Sequence, residues 1–155
     1  MTDAGGVLVL GIGNALRGDD GVGPRVVDAL AGTADRDGGA LPEGTVLRDG
    51  GTAGIGLLFE VLAARRVIVV DAVAPGGMPG TVTTLQATGE GDGPVADLVA
   101  TASLVAGRPV DVTVVGIEAG ELAAGRELSP AVEAAIPAAV AAVLAASRGT
   151  GGPTR

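Results

Sequence analysis

Short, nearly continuous apolar runs alternate along this chain with stretches of helical spacing. Val7–Leu10, Val67–Val70 and Val112–Ile117 read as strands buried on both faces, and Thr45–Leu47 and Thr81–Leu85 as shorter ones. Between them, Pro24 suits the first turn of a helix that carries Val26, Val27 and Leu30 on one face. Gly54–Arg65 repeats the spacing with Leu57, Leu58, Val61 and Leu62, and Val95–Ala106 gives a third helix. Ser129 followed by Pro130 predicts an N-cap and the start of a last helix reaching about Ala146. Gly32–Gly44, Pro75–Gly80 and Thr88–Pro94 read as loops, and the Gly/Pro/Thr-rich tail 148–155 as frayed. Strands alternating with helices imply a single α/β domain over 1–155, with a mostly parallel sheet between helical layers.

Sites in such folds collect beyond the carboxyl ends of the strands, so the residues there matter first. Gly11-Ile12-Gly13-Asn14 follows the first strand but makes a weak dinucleotide motif, because Leu16 stands where a third glycine belongs. The glycines instead predict a sharp turn that returns Asp19 and Asp20 over the strand end. One of that pair is expected to cap the following helix and the other to face the cleft. Asp49-Gly50-Gly51-Thr52 closes the second strand, where the glycines would let an extended ligand approach the backbone or simply form a turn. Asp71 directly follows four β-branched residues, and a carboxylate at a buried strand end needs a partner, a metal or a role. Glu118, after the last strand, is a further carboxylate within reach of the cleft.

Composition narrows the chemistry. The 155 residues include 47% hydrophobic ones, but Phe59 is the only aromatic, so Ala, Val, Leu and Ile must fill the core. There is no Cys, His or Lys. That excludes disulfides, a Ser-His-Asp triad, an HExxH zinc site, a Walker A loop and Schiff-base chemistry. Catalysis must come from carboxylates, Arg, backbone amides or a metal brought in from outside the chain. The net charge of −8 argues against a nucleic-acid partner. The N-terminus lacks the basic region of a signal peptide, and the Ala-rich last helix is interrupted by Glu133 and Pro137. The expectation is a cytoplasmic protein with no membrane partner.

Taken together, Gly11-Ile12-Gly13-Asn14-Ala15-Leu16-Arg17-Gly18-Asp19-Asp20-Gly21-Val22-Gly23 and Asp49-Gly50-Gly51-Thr52-Ala53-Gly54 resemble the hydrogenase maturation endopeptidase family. Val70-Asp71-Ala72, Pro79-Gly80-Thr81, Val115-Gly116-Ile117-Glu118 and Leu128-Ser129-Pro130 extend the resemblance in order, from about Val7 to Leu144. It implies a three-layer α/β/α fold with a twisted, mainly parallel sheet of about five strands. It implies an endopeptidase that trims a C-terminal extension from the large-subunit precursor of a nickel–iron hydrogenase. The nickel belongs to the precursor, so no tightly held cofactor and no nucleotide are expected.

The resemblance also implies a metal-recognition site made by Asp20, Asp71 and a histidine in the loop before the penultimate long helix. That histidine is missing: its place falls near Gly91, between Glu90 and Asp92. Either Asp92 or Glu90 stands in as an oxygen ligand, or the loop is merely solvated; imidazole suits nickel better than carboxylate does. Asp20 and Asp71 are the expected catalytic pair, with Gly13, Asn14, Asp19, Asp49, Gly50, Gly51, Thr52 and Glu118 around the substrate. Two other readings compete. One is a relative that binds the precursor without cutting it; the other is an anion-binding domain using the Gly11–Asn14 turn.

Overall fold

The computed structural model describes residues 5–34, 41–73, 76–120 and 122–149. Five strands form one sheet: β1 (Val7–Ile12), β2 (Val46–Gly51), β3 (Arg66–Val73), β4 (Val82–Gln86) and β5 (Val112–Glu118). The spatial order is β2-β1-β3-β5-β4. All neighbours are parallel except β4, which runs antiparallel to β5 along one edge. The helices are α1 (Val22–Ala34), α2 (Leu58–Ala63), α3 (Pro94–Ala106) and α4 (Pro130–Ser147). The expected α/β/α layering with a five-stranded, mostly parallel sheet is thus observed.

Strand alternation divides the core. Val7 and Val9 of β1, Ile68 and Val70 of β3 and Val115 and Ile117 of β5 pack with Val26 and Leu30 of α1 and Val132, Ala139 and Val143 of α4. Leu8, Leu10, Val67, Val69 and Val112 point the other way, onto Leu57, Val61, Leu98, Val99 and Ala102. Both sheet faces are therefore covered, which is why the strands read as apolar runs. The core is aliphatic, and the lone aromatic, Phe59, is 81% exposed. By length and composition α4 could cross a membrane, yet its Val132, Ala135, Ala139 and Val143 are buried in the core.

The elements run longer or shorter than periodicity predicts. β1 continues through Gly11 and Ile12, β2 takes in Asp49, Gly50 and Gly51, and β3 takes in Asp71. The helix after β2 opens as a 3-10 turn over Gly54–Leu57 and stops at Ala63. Helix α1 starts at Val22 and runs to Ala34, into the expected Gly32–Gly44 loop, of which 35–40 lie outside the described residues. Of the expected frayed tail, 150–155 lie outside them too. Ser129 does occupy the N-cap of α4, but its side chain makes no capping bond.

Glycines bring α1 close to the sheet. A Cβ on Gly11 would lie 2.6 Å from the Gly23 carbonyl oxygen, and one on Gly23 would lie 2.5 Å from that of Val70. Strand β1 leads to β2 on one side, and the chain then crosses to β3 on the other, so the switch of direction falls between β1 and β3. Crevices at such a switch, beyond the carboxyl ends of the strands, are where α/β folds bind ligands.

Candidate active site

Asp20 and Asp71 stand on either side of that switch. Asp20 lies in a 3-10 turn, Gly18–Gly21, between β1 and α1. Gly13 makes the approach possible: its φ is +140°, and a Cβ there would collide with the Asp20 carbonyl oxygen. The chain then folds back so that the Asn14 N–H donates to Asp20 Oδ2 at 2.9 Å. The Leu16 N–H closes a local turn on Asn14 Oδ1 at 2.9 Å.

Asp71 sits one residue beyond the last β1–β3 pair, Gly11 with Val70, and lies opposite Gly116 of β5. By alternation its side chain shares the face of Val67 and Val69. Burial above all, opposed by a hydrogen bond from the Ala72 backbone and helped by the nearby Asp20 charge, raises its carboxyl to about 7. A carboxyl poised there exchanges a proton near neutral pH, as a general acid–base must.

The second strand end joins the first. The Gly13 N–H donates to the Gly51 carbonyl at 2.8 Å. Asp49 Oδ1 accepts the Gly51 N–H at 2.9 Å, which holds Gly51 in its left-handed conformation, φ +52°. Gly50 is buried against Leu57, while Thr52 is exposed on the outward turn. On the other side, Glu118 Oε1 accepts the Gly77 N–H at 2.6 Å and ties the 76–80 loop to the end of β5.

Two readings change here. The anion-binding reading needs free amides after β1, but the Gly13 and Asn14 N–H groups already serve Gly51 and Asp20. Asp19, expected as a substrate contact or a cap of α1, is 1% exposed and bonded inside the fold. Its Oδ1 accepts the Ser129 N–H at 2.7 Å, and its Oδ2 accepts the Gly120 N–H and the Ser129 hydroxyl, both at 2.8 Å. Sequence reasoning missed Ser129 and Gly120 as partners; the signal was a cap-type serine whose hydroxyl serves another element.

The loop that would carry the missing histidine reaches the same end of the sheet, since Gly54, just past β2, abuts Pro94 at the start of α3. Asp92 is exposed in that loop. Among the described residues no group of three Asp or Glu side chains gathers as a metal site, so Asp92 does not join Asp20 and Asp71. Gly91 has φ +99° with open space around its Cβ direction. Backbone conformation, rather than crowding, disfavours a side chain at 91.

An α/β fold with two aspartates beyond the strand ends at its switch point defines a class, and comparison with known proteins gives the family. Residues 24–89 match the family model for hydrogenase maturation protease. The chain is 39% identical over 150 residues to the hydrogenase expression/formation protein HupD of Rhodobacter capsulatus, covering 87% of this chain and 68% of that protein. It is 33% identical over 159 residues to the hydrogenase 2 maturation protease of Escherichia coli strain K12, covering 94% and 92%. The solved structure of the hydrogenase maturating endopeptidase HybD of E. coli superposes with a TM-score of 0.80 at 31% identity, over 94% of each chain. The chain belongs to the hydrogenase maturation protease family.

Proposed function

We propose that this protein hydrolyses one peptide bond near the C-terminus of a nickel-loaded large-subunit precursor of a nickel–iron hydrogenase, with Asp20 and Asp71 as its working groups. What supports this is the placement of both carboxylates beyond the strand ends at the β1–β3 switch, near enough for the Asp20 charge to act on Asp71, in a chain that lacks Cys, His and Lys. The ionised Asp71 takes a proton from the attacking water and returns it to the departing amine. The nickel travels with the precursor as part of the substrate. Asp20 and Asp71 face it with oxygen donors, and a cation beside Asp71 favours its ionised form while weakening it as a base. The Asp49–Thr52 turn and Glu118 flank the cleft as backbone and side-chain contacts for an extended peptide. In this reading the protein works in the cytoplasm, without a nucleic-acid, nucleotide or membrane partner, and holds no tightly bound cofactor.

The test mixes the purified protein with the nickel-loaded precursor and follows intact mass. A single C-terminal loss, absent with Asp71→Asn and Asp20→Asn, is expected. A precursor that stays intact but binds stably would favour a partner that does not cleave, for which the absent histidine is the motive. A precursor that is neither cut nor bound would overturn the reading.

A further inference from the structure

We infer that Asp19 and Ser129 form a positioning pair that holds Asp20 in place across the β1–β3 switch. The inference rests on the proposed hydrolysis only for its kinetic part. Among the described residues no cation pairs with Asp20, and the Asn14 amide within its own loop anchors it. The loop is fixed from outside through the adjacent residue. Asp19 binds both the amide and the hydroxyl of Ser129, 110 residues on, and the amide of Gly120. Gly120 in turn lies against Pro79, with a Cβ there 3.2 Å from the proline ring, so the 76–80 loop leans on the same point. Parallel support comes from the Gly18 N–H to Gly125 carbonyl and Gly125 N–H to Leu16 carbonyl bonds, each 2.9 Å. One buried carboxylate thus locks the first loop to the β5–α4 connection, and the next residue is Asp20.

The chemistry of this lock is specific. Its two oxygens face backbone N–H groups on different sides, so an asparagine must turn its NH2 toward one of them whichever way it is placed. Asp19→Asn therefore sets its NH2 against one backbone N–H and removes that acceptor while leaving size unchanged. Ser129→Ala removes the hydroxyl bond and keeps both amide bonds; Ser129→Thr keeps all three.

The experiment pairs kinetics on the nickel-loaded precursor with amide NMR of the protein alone, using Arg66→Gln at the opposite end of the sheet as a control for destabilisation. Asp19→Asn is expected to lower kcat about 10–100-fold with KM nearly unchanged, since small misplacements of a reacting group have effects of that size. It is expected to shift the Asn14 amide resonance and speed its exchange, because that N–H reports directly on Asp20. Ser129→Ala is expected to lower kcat about 3–10-fold, and Ser129→Thr to restore it. An Asn14 amide and a kcat in Asp19→Asn no different from those in Arg66→Gln would overturn the inference. If Asp19→Asn does not fold, the Ala and Thr variants at 129 decide, and equal kcat in the two would overturn it. If the wild-type protein leaves the precursor uncut, the proposed function fails, while the Asn14 amide still decides the positioning role.

Discussion

The two ends of the sheet handle charge differently. At the amino end, Arg66 Nε meets Asp111 Oδ2 at 3.1 Å, Gln86 Nε2 donates to Asp111 Oδ1 at 3.2 Å, and Arg66 also reaches the Ala146 carbonyl at 3.3 Å. There a carboxylate is neutralised by a cation. At the carboxyl end, Asp20, Asp49, Asp71 and Glu118 accept backbone amides from Asn14, Gly51, Ala72 and Gly77. Among the described residues no arginine pairs with these four; the ion pairs are Arg25–Glu133, Arg48–Glu60 and Arg66–Asp111. An amide satisfies a lone pair and orients the group but leaves its charge in place. The first end is arranged to hold together, and the second keeps negative charge available for a cation.

The largest effect that tests this contrast is on cleavage. Asp71→Asn removes the proton-accepting oxygen at nearly constant shape, and processing of the precursor should fall about 10²–10⁴-fold, the usual worth of a general acid–base. Intact mass over time measures it. Processing within a few-fold of wild type would mean that the carboxyl-end charge does no chemistry.

Backbone geometry at the carboxyl end should matter next. Gly13→Ala puts a Cβ at φ +140° against the Asp20 carbonyl oxygen. Strained backbone and the forced displacement together should cost about 2–4 kcal/mol of stability. Denaturant unfolding reads this directly. An alanine tolerated there without loss would show that the turn has room to relax and that Asp20 is not held by it.

These residues also show what the sequence reveals and what it hides. Strands were legible because a parallel sheet covered on both faces leaves no polar side to interrupt Val67–Val70 or Val7–Leu10. Their ends were not, because Gly11, Gly50, Gly51 and Asp71 look like loop residues, while ladder bonds from neighbouring strands carry the sheet through them. Asp71 was legible as a site candidate from its place after an apolar run, and Asp20 from the turn after the first strand together with the family resemblance. The task of Asp19 was not, since its partners lie about a hundred residues away and no local pattern separates it from Asp20. Nor does composition show that the loop at Gly91 takes a left-handed backbone.

The same Asp71 substitution should act on stability with the opposite sign. Its carboxyl has an ordinary value of 3.8 when unfolded and about 7 when folded, so between these values the folded state binds more protons. Stability from this group is therefore full below about pH 4 and declines as pH rises to about 7. Asp71→Asn removes the penalty. Allowing for partial exposure, the variant should gain on the order of 1–3 kcal/mol at pH 8 and nothing near pH 3.5. Thermal melts across that range measure the difference, and an equal gain at both pH values would show that burial of the charged form is not its source.

The smallest effect should come from the amino end, where both charge and chemistry differ. Arg66→Gln breaks a pair whose side chains are 21% and 41% exposed, and loosens a contact with the last turn of α4. Exposed pairs and helix-end charges contribute little each, so the loss should be about 1 kcal/mol or less and should shrink in high salt. Cleavage should be unchanged, because the network lies at the far end of the strands from Asp20 and Asp71. A loss of activity matching that of Asp19→Asn would show that the two ends are coupled through the sheet, and that pairing charges at one end also shapes the unpaired charges at the other.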